Sequence, residues 1–262
     1  MKNNKAPGIT GVTTDMLKNL PDKALKFLTD IIQNYWDNPN TDFPSWHTTK
    51  LTTLFKGKGS THDPNNWRGI CLKETSAKIV SSIIANHLLN ILKQHGCPNQ
   101  FGHVGCQEAL HTVRSILTLC RHHGRETYAL FIDLVKAFDS VNHEILYATL
   151  DKFGVPKDLM NTIRKMYSGC TIHLQVRKEE REIKYGTGVQ QGDNMAPVLF
   201  LFIMQAAYET LQKKLTCEPF EFRYFPDNTK NPQKQNGHFV SQDTSSNGKP
   251  SINSSLYDLP PS

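Results

Sequence analysis

The apolar run Tyr128-Ala129-Leu130-Phe131-Ile132, closed by the carboxylate of Asp133, constrains this chain most. Five residues are too few for a helix. Every one is apolar, so the pattern predicts a strand buried on both faces. Such a strand needs sheet neighbours and helices to cover it, and the flanking sequence supplies helices. Asp22 to Trp36 carries Leu25, Leu28, Ile32 and Tyr35 at helical spacing, widened by Phe27 and Ile31. Thr75 to Gln94 places Ile79, Val80, Ile83, Ile84, His87, Leu88, Ile91 and Leu92 on one stripe, with Gly96 as the stop. Glu108 to Cys120 repeats the pattern. Asn142 is placed to cap a helix through Phe153 that Gly154 closes. Pro156 at the first helical position opens another, which ends at Gly169. Alternation at Ile172, Leu174 and Val176, and again at Ile183 and Tyr185, predicts a hairpin. Pro197 to Leu215 returns to helix. The order from 128 to 215 predicts an α+β fold, with helices packed on a small antiparallel sheet.

The chain has 262 residues and a net charge of +6. After residue 216 four basic residues face five acidic ones, so the positive balance lies in the first four-fifths. That balance suits a polyanionic partner. The same last stretch is rich in Pro, Ser, Asn and Gln. Residues 217–262 are therefore expected to be a disordered, low-complexity tail, with a short strand at Phe220–Phe225. No apolar run approaches the roughly 20 residues that span a bilayer. No apolar segment follows Met1–Lys5, so neither secretion nor a membrane partner is expected. Six cysteines without a C-x-x-C pair read as reduced thiols. His95, Cys97, His103, Cys106, His111, Cys120, His122 and His123 crowd one region, which raises a zinc module as one reading. Their spacing matches neither a finger nor a ribbon.

A carboxylate at the end of a buried strand is costly unless a charge meets it. A hard divalent cation such as Mg²⁺ is one such partner, and a plain turn cap is the other reading. Asp133 opens the string Asp133-Leu134-Val135-Lys136-Ala137-Phe138-Asp139-Ser140-Val141. Further on stands Gly188-Val189-Gln190-Gln191-Gly192-Asp193-Asn194-Met195-Ala196-Pro197. These strings resemble motifs A and B of reverse transcriptases, in the form used by non-LTR retrotransposons and group II introns. The family's patterns read roughly D-h-x-K-A-F-D-x-V and G-V-x-Q-G-D-P-L-S-P. Upstream, Asn4-Lys5-Ala6-Pro7-Gly8-Ile9-Thr10-Gly11-Val12 is similar to its K-A-P-G-x-D-G segment. Leu54-Phe55-Lys56-Gly57-Lys58-Gly59, then Asp63 to Ile70, resemble its paired fingers motifs. Gln100-Phe101-Gly102 resembles the start of its Q-x-G-F-R. Together the segments cover about 1 to 210 in the family's order.

The resemblance implies right-hand polymerase architecture: fingers with the opening segment over 1–125, and part of the palm over 126–216. It implies RNA-directed DNA synthesis by two-metal phosphoryl transfer, with Mg²⁺ as cofactor and an RNA template, a DNA primer and dNTPs as partners. It makes Asp133 the catalytic metal ligand, with the carbonyl of Leu134 a further one. Phe138, five positions on, matches the steric gate against ribonucleotides. Gln191 and Gly192 match residues beside the incoming nucleotide and template. Arg68 matches the arginine on the triphosphate, where a planar fork suits phosphate oxygens. Lys56 and Lys58 both stand where the family carries a phosphate-facing lysine. A nuclear or cytoplasmic location follows from the family and the missing signal.

The departures also matter. Asn194, Met195 and Ala196 replace the usual Pro, Leu and Ser. Gly69 and Cys71 stand where Pro and Ser are usual, and His103-Val104 where Phe-Arg is. The family's motif C, [FY]-x-D-D, is absent after residue 197, and its nearest approach is Tyr257-Asp258. The expectation is a copy truncated before motif C, without a thumb and inactive alone, its tail the product of a shifted frame or mis-joined exon. The alternative function is a non-catalytic nucleic-acid-binding remnant, using Trp46, Phe55 and Trp67 among Lys56, Lys58 and Arg68. Without a motif C hairpin beside it, the run at Leu130–Ile132 is expected to be an exposed edge that makes the chain poorly soluble.

Overall fold

The computed structural model describes residues 2–95, 100–102, 105–129, 131–176 and 179–214. The expected tail at 217–262, its strand at Phe220–Phe225 and the stop at Gly96 lie outside them. The chain opens with the short helix α1 (Thr14–Lys18) and the amphipathic α2 (Asp22–Asp37). A single turn, α3 (Pro44–His47), leads into strand β1 (Thr48–Phe55). Strand β2 (Trp67–Leu72) returns beside it. Two long helices follow, α4 (Thr75–Gln94) and α5 (Cys106–His122). Then come α6 (His143–Lys152) and α7 (Lys157–Tyr167), the hairpin β3 (Thr171–Val176) and β4 (Glu179–Lys184), and α8 (Ala196–Lys214).

The helices fall where the periodicity puts them. The Asn142 carboxamide accepts from the backbone N–H groups of Glu144 and Ile145, starting α6 as its sequence implies. Pro156 sits one position earlier than expected, just outside α7 rather than at its first residue.

The sheet differs from the expectation. Its order is β2-β1-β3-β4, and β1 pairs parallel to β3 while the outer pairs are antiparallel. It is a mixed sheet, not an antiparallel one. Thr49 stands opposite Ile172 and Leu51 opposite Leu174, so strands more than a hundred residues apart share a register. No alternation in the sequence marks 48–55 or 67–72 as strands. Four threonines and a mostly exposed pattern leave β1 without clean alternation.

The second difference concerns Tyr128–Ile132. No strand forms among its described residues, and Leu130 lies outside them. Tyr128 is 91% exposed, Phe131 80% and Ile132 72%. A strand exists only by pairing, and none of the described strands runs beside this run. The apolar side chains of its described residues therefore go unburied.

The core is helix on helix rather than helix on sheet. Helix α8 packs on both α4 and α6, and α6 on α7. Ile84, Leu88, Leu146, Leu150, Ile163, Leu199 and Phe202 are fully buried there. A second cluster joins α2 to the rest: Tyr35, Phe43 and Trp46 lie with ring centroids 4.6 to 5.8 Å apart. Lys165 on α7 donates to the carbonyls of Tyr35 and Asn38, each at 2.9 Å, and its ammonium lies 3.7 Å over the Tyr35 ring. One cation thus satisfies two orphan carbonyls at the end of α2 and its dipole.

Ile84→Ala should cost about 2–5 kcal/mol of unfolding free energy, read by urea denaturation. Phe131→Ser should leave that value within about 0.5 kcal/mol, because the ring is already in water. It should also raise the yield of soluble protein.

Candidate functional site

The loop between β4 and α8 is where the two motif-like strings meet. Its start is fastened to the turn that follows Asp133. That turn closes with Ser140 N–H on the Lys136 carbonyl, at 3.0 Å, and Lys136 takes a positive φ of 51°. Gly188 N–H donates to the Val141 carbonyl at 2.7 Å, and Val189 N–H to the Phe138 carbonyl at 2.8 Å. His143 Nε2 donates to the Gly188 carbonyl at 2.8 Å. A Cβ on Gly188 would come within 2.9 Å of the Phe138 carbonyl, at a φ of +87°. Only glycine makes that approach.

The far end of the loop is fastened to β2 and α4. Cys71 N–H donates to the Gln191 carbonyl at 2.7 Å. Gly192 follows with φ +110°, and a Cβ there would lie 2.5 Å from the Cys71 carbonyl. Asp193 then enters the interior. Its carboxylate accepts from Lys73 Nζ at 3.0 Å and from the Ser81 hydroxyl. The Lys73 and Asp193 side chains are 1% and 0% exposed. Ser81 Oγ also accepts from Met195 N–H at 3.1 Å. Asn194 donates to the Ser82 hydroxyl at 2.6 Å. Gln190, fully buried, accepts from the Thr49 hydroxyl at 3.4 Å.

This buried charge sits beside another. Glu74 accepts from both the backbone N–H and the hydroxyl of Thr10, at 2.7 and 2.6 Å, which ties the opening segment to the start of α4. Burial lowers the pKa of Lys78, opposed by Asp193 and Glu74. Burial, and then Asp139, pushes the Cys71 thiol up to about 11. A thiol held protonated there is no nucleophile at neutral pH.

The residues singled out in the sequence fall into three places. Phe138, Gln191 and Gly192 gather at the loop. Phe138 is half-buried and stacks on Phe200, ring centroids 5.0 Å apart and 17° between planes. The Gln191 side chain is exposed. Arg68 is exposed on β2, the strand on which the loop docks, opposite Leu54. Lys56 and Lys58 stand exposed beyond the β1 end, and Lys56 Nζ donates to the Asn65 carbonyl at 2.7 Å. Asp133 and Leu134 stand apart on the unpaired run, exposed, with Leu134 at 47%.

Among the described residues no group of three His, Cys, Asp or Glu side chains could hold a metal ion. The single carboxylate of Asp133 does not make a magnesium site with them. His103 and Cys97 of the supposed zinc cluster lie outside the described residues. Lys73, Ser81 and Gln190 were not singled out from sequence. The sole signal was Asp193 within the motif B string, and no spacing rule pairs it with a lysine 120 residues away.

A family model described as reverse transcriptase (RNA-dependent DNA polymerase) matches residues 56–229. The chain is 26% identical over 218 residues to the retrovirus-related Pol polyprotein of a type-2 retrotransposable element of Drosophila melanogaster, covering 81% of this chain and 20% of that protein. It is 30% identical over 176 residues to the Pol polyprotein of a type-1 retrotransposable element of Popillia japonica, covering 64% and 24%. It is 28% identical over 204 residues to the RNA-directed DNA polymerase from the mobile element jockey of Drosophila melanogaster, covering 75% and 22%. The chain thus spans about a fifth of the length of these relatives.

Lys73→Met should cost about 3–5 kcal/mol, because it leaves the Asp193 charge buried without a partner. Adding Asp193→Leu should recover most of the loss. Chemical denaturation of the two variants against the parent checks both.

Proposed function

The chain belongs to the reverse transcriptase (RNA-dependent DNA polymerase) family, of the non-LTR retrotransposon type, and we propose that it supplies the nucleotide- and template-facing part of an RNA-directed DNA polymerase. One observation carries the reading. The 188–195 loop is clamped at both ends, so Phe138, whose carbonyl takes the Val189 N–H, is held three residues along the loop from Gly192. Gly192, whose missing side chain lets the loop press onto the Cys71 carbonyl, holds the loop backbone against β2, where a template and incoming nucleotide would lie along it. Gln191 presents an exposed amide beside it. Phe138, fixed by its stack on Phe200, restricts the sugar. Arg68, Lys56 and Lys58 offer exposed cations for a triphosphate and for the template and primer backbones.

In this reading residues 1–125 are the fingers with their opening segment and 126–216 part of the palm. The β1–β3 pairing joins both in one sheet. The family generally uses a divalent metal ion, which would neutralise charge developing on the transferred phosphate. Asp133 is the residue of this chain that would contribute to holding it. Among the described residues no group of three His, Cys, Asp or Glu side chains forms there, so no step is derived through the metal.

A second reading keeps the binding and drops the chemistry. It is favoured by Asp133 standing exposed on an unpaired run while the loop, Arg68 and the lysines stay in place. No described helix is long and apolar enough to cross a membrane, which either reading accommodates.

Primer extension on an RNA template, with dNTPs and Mg²⁺, separates them. Extension that Asp133→Ala abolishes supports the polymerase reading. RNA binding without extension, unchanged by Asp133→Ala, supports the second. Under either one, affinity should fall linearly with salt on a log–log plot, with a slope of about −0.7 per phosphate contacted.

A further inference from the structure

Beside the start of the motif-like loop, between α6 and α7, lies an open cavity of about 360 Å³. Its walls are Asn142, His143 and Tyr147 of the α6 start, Arg164 and Tyr167 of α7, and Thr187 just before the loop. None of the roles above uses it.

Arg164 is the notable group. Its guanidinium carbon lies 3.9 Å from the centroid of the Tyr147 ring. Among the described residues no carboxylate and no hydrogen-bond acceptor engages that guanidinium. An arginine stacked on an aromatic face keeps its N–H edge free and gives up little further side-chain freedom on binding. The Tyr147 ring is itself 7% exposed and cannot drift. His143 packs edge-on against Tyr167, at 5.3 Å, with its Nε2 committed to the Gly188 carbonyl. The N-terminal end of α6, ten residues long, meets the same space and adds the positive pole of its dipole.

One group opposes these. Glu144 also lines the cavity, and its carboxylate opposes a second negative charge there. That balance disfavours a doubly charged monoester and tolerates a single negative charge. A planar fork with parallel N–H groups matches two oxygens on one phosphorus. The volume and the open mouth suit one unit of a strand passing through.

We propose that this cavity binds one phosphodiester of a nucleic-acid strand, with the Arg164 fork on its non-bridging oxygens and His143 and Thr187 beside it. Through His143, the strand is then one hydrogen bond from Gly188, where the loop begins. The site is a binding site and does not depend on polymerase chemistry.

The test uses the full 262-residue chain and a short single-stranded RNA carrying 4-thiouridine. Ultraviolet crosslinks are mapped by mass spectrometry, and affinity is read by fluorescence anisotropy. Crosslinks are expected in the peptides holding Tyr147 and Tyr167. Arg164→Ala should remove them, weaken binding by about tenfold and lower the salt slope by about one. Arg164→Lys keeps the charge but loses the fork, so it should recover only part of the affinity. Arg164 is exposed, and an unchanged melting temperature verifies that both variants fold. Crosslinks confined to the Lys56–Arg68 region, with affinity unaffected by Arg164→Ala, overturn the proposal. So does Arg164-dependent binding of inorganic phosphate or a nucleoside monophosphate in a chain whose RNA crosslinks avoid the cavity. Failure of primer extension bears on the polymerase reading alone and leaves these outcomes intact.

Discussion

A lysine and an aspartate 120 residues apart meet in the interior, and the placement of the functional loop depends on that meeting. Each charge alone would cost several kcal/mol, on the order of what a small domain has to spare. Together they are tolerated because each charge meets its opposite and Ser81 adds a second donor to the carboxylate. Ser81 donates to the Asp193 carboxylate and accepts from Met195 N–H, so one hydroxyl closes the pair onto the first residues before α8. Lys73 also lies 5.6 Å from the Tyr167 ring centroid. An apolar pair could fill the same space with equal or greater stability. The ion pair adds a single permitted register for the loop, because a shift of one residue would strand a charge.

The pair reaches further through its neighbour. Lys73 takes the motif B string and Glu74 takes the opening segment through Thr10. Two successive residues, at the junction of β2 and α4, therefore fix parts of the chain far apart in sequence. The loop's other end is held on α6 through His143 and on the turn at Phe138. Both docks stand on helices of the main core, since α8 packs on α4 and α6 alike. A loop fixed at each end on rigid elements holds its backbone more narrowly than a free one. Gly192 exploits this by approaching the Cys71 carbonyl where a methyl group would collide.

The sequence was most legible where structure is local. Helices α2, α4, α6 and α8 follow from a period of 3.6 and from caps such as Asn142, which act within a few residues. Strands were less legible, for two opposite reasons. β1 carries four threonines, one of them fully buried, so its apolar residues show no alternation, yet it pairs on both sides. Tyr128–Ile132 shows an unbroken apolar run, yet its described residues are left exposed. Apolarity records what a segment needs, and pairing requires a partner that periodicity does not name. The same limit hid Lys73. The motif strings directed attention to Phe138, Gln191 and Gly192, but nothing in their spacing showed the clamps that hold them.

The exposed run and the clamped turn are adjacent, and that adjacency separates binding from chemistry in this chain. Residues 136–141 are already fixed by the hydrogen bonds from Gly188 and Val189. Asp133 lies three residues before Lys136, and three extended residues span about 10 Å at most. The carboxylate is thus tethered near the loop, exposed, and without a hydrogen bond among the described residues. Preorganised charge is worth far more to a phosphoryl transfer than charge that must be ordered during the reaction. Gln191, Gly192, Phe138 and the cations of β2 keep their places whatever the run does. Strand pairing of 128–132 would fix Asp133 as firmly as its neighbours.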